Sequence, residues 1–255
     1  MFRSAAIDIK SPKELTLLRA AGLAASEVLA FVAARVAPGV STAELDELAA
    51  SEISRRKGKP AFLGYRGYPA SLCVSINDEV VHGIPRKDRF VREGDIVGLD
   101  FGCVLKGYYG DCAVTVPAGR ISDKARRLMD VTRESLGKAI EQMRQDRRLG
   151  DVSSAVQSHV EAAGFSVVRE FVGHGIGRAL HEDPAVPNFG QPGTGPRLRP
   201  GMVLALEPMV NEGVSDVKVL GDQWTAVTCD GALSAHFEHM VAVTEDGPEI
   251  LTKNG

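Results

Sequence analysis

The sequence predicts an α+β fold made of two related α/β halves that share one antiparallel-rich sheet. Two helical segments are followed by strand-like runs, and this order occurs twice along the 255 residues. A short segment at 92–100 also has a counterpart 107 residues further on, at 199–207. No linker rich in proline, glycine or serine separates the halves, so we expect a single domain over residues 1–255.

The first half opens on two helices with clear start signals. Ser11-Pro12-Lys13-Glu14 is a capping box with proline at the first helical position, and Ser41-Thr42-Ala43-Glu44 is a second box. Apolar residues follow each box at helical spacing. The strand-like runs that come next are SLCVSI (71–76), DIVGLDFGCVL (95–105) and YYGDCAVTV (108–116).

The second half repeats this order. We expect one helix to start at Ser122 and another at Asp151. The glycine- and proline-rich stretch 190–201 is predicted to be a loop that leads into the strand carrying Glu207. The strand-like runs of this half are SVVREFV (166–172), MVLALEPMV (202–210), WTAVTC (224–229) and HMVAVTE (239–245).

A local match makes the repeat concrete. The segment REGDIVGLD, from Arg92 to Asp100, aligns with RPGMVLALE, from Arg199 to Glu207. Each has an arginine, a glycine two residues on, an apolar strand, and then a leucine followed by a carboxylate. The predicted repeat spans roughly 11–118 and 122–250, after a short lead-in at 1–10.

Composition and charge narrow the class of protein. The chain is 44% apolar and 25% charged, as is typical of globular proteins, and its net charge of −3 indicates no nucleic-acid or membrane-surface partner. The N-terminus lacks the apolar core of a signal peptide, and no apolar run approaches the roughly 20 residues of a membrane span. The four cysteines form no C-x-x-C pair. We therefore expect a cytoplasmic protein with reduced thiols.

Four carboxylates stand at the ends of apolar strands, where a buried charge needs a partner. They are Asp100, Asp111, Glu207 and Glu238, and no lysine or arginine lies within two residues of any of them. One such residue could simply be half exposed at a strand end. Four of them, two related by the internal repeat, favour a shared site instead.

The histidines add nitrogen ligands to this set. Five of the six fall in or beside strands and loops, namely His82, His174, His181, His236 and His239. His159 lies on a predicted helix, where packing or a surface role is expected. His174 and His181 are seven apart, but three glycines between 173 and 177 argue against the helix that would place both on one face.

Four carboxylates and one neutral histidine carry a charge of about −4, which two divalent ions would balance. Ligand sets rich in oxygen suit Mn, Fe(II), Co, Mg or Zn. Two metals held by bridging carboxylates can share and deprotonate a water, which indicates metal-assisted hydrolysis. The chain has no HExxH motif, phosphate-binding P-loop or G-x-S-x-G elbow.

Six motifs together resemble type I methionine aminopeptidases, from about Ile9 to Leu251. They are GYPASLCVSINDEVVHGIP (67–85), GDIVGLDFG (94–102), GYYGDCAVTV (107–116), GHGIGRALHEDP (173–184), GMVLALEP (201–208) and HFEHMVAVTEDGPEIL (236–251). The resemblance implies the curved pita-bread fold, with two halves related by a pseudo-twofold axis. It also implies removal of the initiator methionine when the second residue is small.

The resemblance assigns roles to the clustered side chains. Asp111 and Glu238 would bridge two metal ions, Asp100 would complete one site, and His174 and Glu207 would complete the other. The expected ions are Co, Mn, Fe(II), Zn or Ni.

The same resemblance assigns the catalytic residues His82, His181 and Glu207. His181 would stabilise the oxygen of the tetrahedral intermediate, His82 would contact the peptide, and Glu207 would carry the proton to the leaving amine. The free amine of the substrate would meet Asp100. The methionine pocket would be formed by Phe62, Tyr65, Tyr68, Cys73, Leu180 and Trp224.

The implied partners are N-terminal methionyl peptides and nascent chains, with ribosome association and a monomeric state. Two alternatives keep the same fold. One is a peptidase specific for Xaa-Pro bonds, and the other is a binding module without enzymatic activity. The second alternative would be expected to lack ligand residues, whereas all five are present.

Overall fold

The first two helices begin where their capping residues predict. The computed structural model describes residues 7–253. Helix α1 spans Pro12–Ala33 and helix α2 spans Thr42–Arg55. In each, the hydroxyl of the preceding serine accepts from the backbone N–H three residues on, and the glutamate there accepts from the serine N–H. Both predicted capping boxes are therefore formed.

The helices of the second half follow the prediction with one difference. Helix α3 spans Asp123–Glu141, and the Ser122 hydroxyl caps it. Helix α4 spans Leu149–Ala162, so it begins two residues before Asp151. The Asp151 carboxylate accepts from the Arg148 N–H at 2.8 Å. An acid at the third helical position caps the helix from inside its first turn, which explains the shift.

Fifteen short strands and one turn of 3₁₀ helix, at Tyr65–Gly67, complete the described residues. The strands are β1 (Lys59–Pro60), β2 (Cys73–Ile76), β3 (Glu79–Val81), β4 (Ile96–Leu105), β5 (Tyr108–Pro117), β6 (Ser166–Val167), β7 (Gly173–Gly175), β8 (Glu182–Val186), β9 (Val203–Leu206), β10 (Met209–Asn211), β11 (Val217–Val219), β12 (Ala226–Thr228), β13 (Ser234–His236), β14 (His239–Thr244) and β15 (Gly247–Ile250).

The strands pair in antiparallel ladders, in agreement with the predicted α+β class. In the first half, β4 pairs with β1, β2 and β5. In the second half, the order is β15–β14–β9–β7–β8. Two further sheets have three strands each, in the orders β13–β10–β6 and β11–β12–β3. Long antiparallel strands with helices on one face bury a core on that side.

The aligned segments of the two halves adopt the same conformation. Gly94 has φ 90° and Gly201 has φ 92°, and each lies two residues before a strand of the repeat, β4 or β9. Each turn is closed by a backbone hydrogen bond to its arginine, at 3.2 Å in the first half and 3.1 Å in the second. Only glycine adopts this left-handed backbone without steric cost. The sequence match therefore reflects a structural repeat.

Several predicted strands are shorter than the apolar pattern indicates, and two of them differ most. The run 166–172 forms only β6, because the chain turns through the exposed Arg169 and Glu170 before β7. The run 202–210 is broken at Glu207-Pro208 into β9 and β10. Proline has no N–H to donate to a ladder. The chain therefore leaves the sheet at Glu207, one of the predicted metal ligands.

The halves meet at a bridge beside two of the predicted metal ligands. The Glu238 N–H donates to the Ala113 carbonyl at 2.9 Å, and the Ala113 N–H donates back at 3.4 Å. Strand β3 of the first half also pairs with β12 of the second. These pairings support the proposal of a single domain. Of the predicted lead-in, residues 1–6 lie outside the described part of the chain.

Helix α1 corrects one expectation about membranes. It has the length and apolar composition that a membrane span would need, contrary to the prediction from the sequence. Half of its most apolar stretch is buried inside the protein. Leu18, Ala21 and Val28 on this face are fully buried. The apolar composition of α1 is therefore that of a core helix packed on its own sheet.

Candidate metal centre

The five predicted metal ligands converge on one cavity of about 150 Å³. Asp100 lies on β4 and Asp111 on β5, whereas His174 lies on β7. Glu207 directly follows β9 and Glu238 directly precedes β14. Each half thus supplies part of the cluster, which we call the carboxylate floor: Asp100, Asp111, His174, Glu207 and Glu238.

The side chains of the floor are close enough to share cations. His174 Nε2 lies 3.5 Å from Glu207 Oε1 and 3.9 Å from Asp111 Oδ2. One ligand atom from each of Asp111, His174 and Glu238 falls within 4.8 Å of the others. Such spacing suits ligands arranged around a metal ion.

Three buried oxygen atoms of the floor have no hydrogen-bond partner among the described residues. They are Asp100 Oδ1, Asp111 Oδ1 and Glu238 Oε1. A buried acceptor left unpaired costs about 1–3 kcal/mol, and more when the group is charged. A divalent cation would satisfy all three, so the residues present fit a metal site.

The raised pKa values of the floor carboxyl groups indicate that these groups need a nearby positive charge in order to ionise. Burial raises the pKa of Asp100 to about 7. Burial, and then the neighbouring carboxylates, raise the pKa values of Asp111, Glu207 and Glu238 well above their ordinary range. Four acids that repel one another in a dry site need cations to ionise together at neutral pH.

His174 is prepared to act as a neutral nitrogen ligand. Its Nδ1 lies 2.9 Å from the Gly175 carbonyl oxygen, which can only accept, so Nδ1 carries the ring hydrogen. Burial, with a contribution from His181, lowers the pKa of His174 to about 4. The Nε2 lone pair therefore faces the carboxylate oxygens. The Nε2 lone pair and the carboxylate oxygens repel each other unless a cation lies between them.

The glycines around His174 serve close packing between strands. None of Gly173, Gly175 and Gly177 has a left-handed φ. A Cβ at Gly173 would lie 2.3 Å from the Ala205 carbonyl oxygen, and a Cβ at Gly175 would lie 2.3 Å from that of Asp183. Strand β7 fits between β8 and β9 because these glycines lack side chains.

His181 lies beside His174 but belongs to a different environment. Its ring centroid is 4.2 Å from that of His174, and its Nδ1 is 2.8 Å from the Tyr65 hydroxyl. The Tyr65 ring stacks on it at 5.3 Å. Burial, and then the nearby Arg66 guanidinium, lower the pKa of His181. The two histidines of this segment are thus not one pair of metal ligands on a helix.

His82 is held in a strained backbone conformation. Its φ is 61°, in the left-handed region that costs a residue with a Cβ about 1–2 kcal/mol. Its ring packs edge-on against Phe171 at 5.4 Å and Trp224 at 6.1 Å. Burial, and then His181, lower its pKa to about 4. Strain of this kind is concentrated at functional sites.

The six predicted pocket residues line the same cavity as the floor: Phe62, Tyr65, Tyr68, Cys73, Leu180 and Trp224. Tyr68 donates to the carbonyl oxygens of Leu72 and Gly83, at 3.1 and 3.0 Å, and its ring meets Trp224 edge-on. Burial raises the pKa of the Cys73 thiol well above its ordinary value. This wall is apolar and uncharged.

Sequence analysis missed two residues of the cavity region. Arg66 lines the cavity with φ 48°, and only the flanking glycines at 64 and 67 hinted at an unusual turn. The Asp111 N–H donates to Met240 Sδ at 3.1 Å, a contact that no local pattern indicates. We call Tyr65, Arg66, His82 and His181 the rim of the cavity.

The chain is similar in sequence and in fold to known proteins. Residues 16–245 match the model of metallopeptidase family M24. The chain is 50% identical to methionine aminopeptidase 1 of Bacillus subtilis, over 96% of this chain and 98% of that protein. The crystal structure of methionine aminopeptidase from Thermotoga maritima has a TM-score of 0.96 and 49% identity, covering 98% of this chain and 100% of the other.

The likeness to a second solved structure shows the fold alone. Xaa-Pro dipeptidase from Bacillus anthracis has a TM-score of 0.77 at 23% identity, and this chain covers 62% of that one. The proteins that share about 50% identity with nearly the full length of this chain are methionine aminopeptidases. The chain therefore belongs to metallopeptidase family M24 and, within it, to the methionine aminopeptidases.

Proposed function

We propose that the cavity removes an N-terminal methionine from peptides whose second residue is small. One observation carries the proposal: an apolar wall and a cluster of buried carboxylates with unpaired oxygen atoms line the same cavity. An apolar, polarizable side chain suits the wall. The scissile peptide bond would then lie against the floor.

The floor would hold two divalent ions, with Asp111 and Glu238 bridging them. Asp100 would complete one site, and His174 and Glu207 would complete the other. When bound, such ions polarise a carbonyl group and lower the pKa of water enough to supply a nucleophile at neutral pH. The ligand set of four carboxylates and one imidazole suits Co, Mn, Fe(II), Zn or Ni.

Glu207 is proposed to move the proton. Burial, and then the neighbouring Asp111 and Asp100, raise the pKa of its carboxyl group well above the ordinary value. A carboxyl group beside the reacting atoms whose affinity for a proton is raised suits a general acid–base role. Asn188 Nδ2 donates to the Glu207 backbone carbonyl at 3.0 Å and fixes the chain there. The proton would pass from the attacking water to the leaving amine.

His181 is proposed to stabilise the negative oxygen that develops on the substrate carbonyl. The Tyr65 hydroxyl lies 2.8 Å from His181 Nδ1. We propose that the hydroxyl donates to Nδ1, so that the ring hydrogen would be on Nε2 and available to the substrate oxygen. A donor aimed at developing charge in a site with little water is worth about 3–4 kcal/mol. His82, neutral and held by Phe171 and Trp224, would contact the peptide near the scissile bond.

Exopeptidase action would follow from the acidic floor. The free α-amine of the substrate would lie against Asp100, whose unpaired Oδ1 faces no other donor among the described residues. A blocked amine would lose this partner. We further propose that the protein works as a cytoplasmic monomer on nascent chains in association with the ribosome. New chains are where an initiator methionine occurs.

The proposed substrate preference is tested with two peptides. Purified protein supplied with Mn or Co should release methionine from Met-Ala-Ser and leave Ala-Pro-Ala intact. Activity on Ala-Pro-Ala without activity on Met-Ala-Ser would establish the Xaa-Pro alternative instead. Acetylated Met-Ala-Ser is the matched control for the free amine and should not be cleaved. Elemental analysis of protein from its native cell identifies the ions.

A further inference from the structure

A buried ion pair lies directly behind the turn that carries His181. The side chain of Lys10 is 2% exposed, and its Nζ lies 2.5 Å from Glu182 Oε2 and 2.5 Å from Asp8 Oδ2. Burying a lysine is costly unless the charge is well paired. This lysine comes from the segment before α1, 172 residues away from its partner in the chain.

Glu182 connects this cation to the backbone of the turn. Its Oε1 accepts from the N–H groups of Arg178 and Ala179, at 2.8 and 3.1 Å. Glu182 is also the first residue of β8 and directly follows His181. One carboxylate therefore ties both sides of the turn, residues 177–182, to Lys10.

Gly177 shows how closely the pair fits the turn. A Cβ there would lie 2.4 Å from Lys10 Nζ and 2.7 Å from Glu182 Oε1. The Gly177 carbonyl oxygen accepts from the Tyr109 N–H at 2.9 Å. The turn is therefore fixed against β5 on one side and against the ion pair on the other.

The other end of Lys10 is anchored to the second half of the repeat. Its backbone N–H donates to the Gly201 carbonyl oxygen at 2.8 Å, at the turn that precedes β9. Burial lowers the pKa of Lys10, but its hydrogen bonds to Asp8 and Glu182 outweigh this and leave the pKa above its ordinary value. Lys10 is thus charged and immobilised by two elements.

The ring and the backbone of His181 are held by different groups. The ring lines the cavity, where the Tyr65 ring stacks on it, the Tyr65 hydroxyl lies 2.8 Å from Nδ1 and the His174 ring is 4.2 Å away. The backbone belongs to a turn whose residues Arg178 and Ala179 are exposed. The position of the ring therefore depends on Tyr65 and on the backbone that Glu182 holds.

We propose that Lys10 and Glu182 form a positioning pair that sets the His181 ring for the developing oxyanion. This role rests on the function proposed above. Neither residue touches the substrate, and both act through His181. A displacement of about 1 Å can cost on the order of a hundredfold in rate, so a modest shift of the turn is sufficient to matter.

The first test replaces the buried cation by an isosteric apolar side chain. Lys10→Met should lower kcat on Met-Ala-Ser about tenfold, with KM and metal content unchanged. Lys13→Met, at an exposed position of the first turn of α1, is the matched control and should change nothing. Loss of bound metal or a raised KM in Lys10→Met would overturn the proposal.

The second test asks whether Lys10 acts through His181. In a His181→Ala background, Lys10→Met should lower kcat no further, because the group that it positions is gone. The same tenfold loss in both backgrounds would show that Lys10 has a general structural role, and it would overturn the proposal that Lys10 positions His181. If His181→Ala alone leaves kcat unchanged, the proposed role of His181 fails, and the pair fails with it.

Thermal denaturation separates folding from positioning. Should Lys10→Met not fold, Glu182→Gln replaces it in the same comparison with His181→Ala. Glutamine keeps an acceptor for the two N–H groups and removes the charge that holds Lys10. It should show a smaller kcat loss that also disappears in the His181→Ala background. A loss that persists there would overturn the proposal.

Discussion

The floor and the rim of the cavity are built by different means. Every floor residue lies within a strand or directly next to one, and Asp100 and His174 have paired strands on both sides, so strand pairing restrains the backbone of the floor. The rim residues lie outside the strands, two of them in the short 3₁₀ segment and two in loops, and Arg66 and His82 have left-handed backbones. A rigid floor suits ligands that must meet a common ion, whereas a rim outside the strands suits groups that contact a substrate.

The largest effects should separate His174 from His181. His174→Ala removes a ligand, so metal content by elemental analysis should fall and activity should drop about a thousandfold or more, since metal chemistry supplies several kcal/mol. His181→Ala should keep the metal and lose about a hundredfold in kcat. Equal metal loss in both variants would remove the distinction between floor and rim.

The pH dependence of stability tests the floor alone. In metal-free protein, burial raises the pKa of Asp100 to about 7, so the folded state holds a proton that the unfolded state releases above about pH 4. Stability therefore falls as pH rises from about 4 to 7. Asp100→Asn cannot titrate, so its advantage over the natural protein should grow across this window, by an amount on the order of 2–4 kcal/mol.

Urea denaturation of both metal-free proteins at several pH values measures this difference. The comparison with Asp100→Asn cancels the buried histidines, whose lowered pKa values act in the opposite direction. A difference that stays constant between pH 4 and 7 would show that Asp100 is ionised in the folded protein without a metal.

The smallest effects should come from glycines of the two regions. Gly173→Ala brings a Cβ to 2.3 Å from a carbonyl oxygen of β9, so it should cost about 2–3 kcal/mol of stability and displace His174. Gly64→Ala, at φ 81° with open space around it, should cost about 1 kcal/mol and leave metal binding intact. Thermal denaturation and metal titration measure both; a larger cost at Gly64 would contradict the comparison.

Local signals in the sequence predicted the helices well. Ser11, Ser41 and Ser122 all cap helices, because a capping hydroxyl and its acceptor lie within one turn of chain. The strands were harder to predict, because their limits depend on neighbours far away in the sequence. Strand β8 (Glu182–Val186) carries no apolar alternation that would reveal it. The break at Glu207-Pro208 did have a local signal, the proline, which the apolar run around it concealed.

The same division applies to the cavity. Carboxylates at the ends of apolar strands stood out in the sequence because they had no nearby cation. The contact of Tyr65 with His181 joins residues 116 apart, and Lys10 reaches Glu182 across 172. No spacing rule encodes such contacts. The rim and its supports therefore became visible only once the chain was folded.

The bridge between Ala113 and Glu238 gives the cavity the geometry of a dimer interface. In a symmetric dimer, a site on the twofold axis takes equivalent groups from both partners. Here Asp100 and Glu207 are such equivalents, joined in one chain. Neither half contains a complete floor. Ions held between the two halves would act as a cross-link. The packing of the halves against each other and the binding of metal would therefore depend on each other.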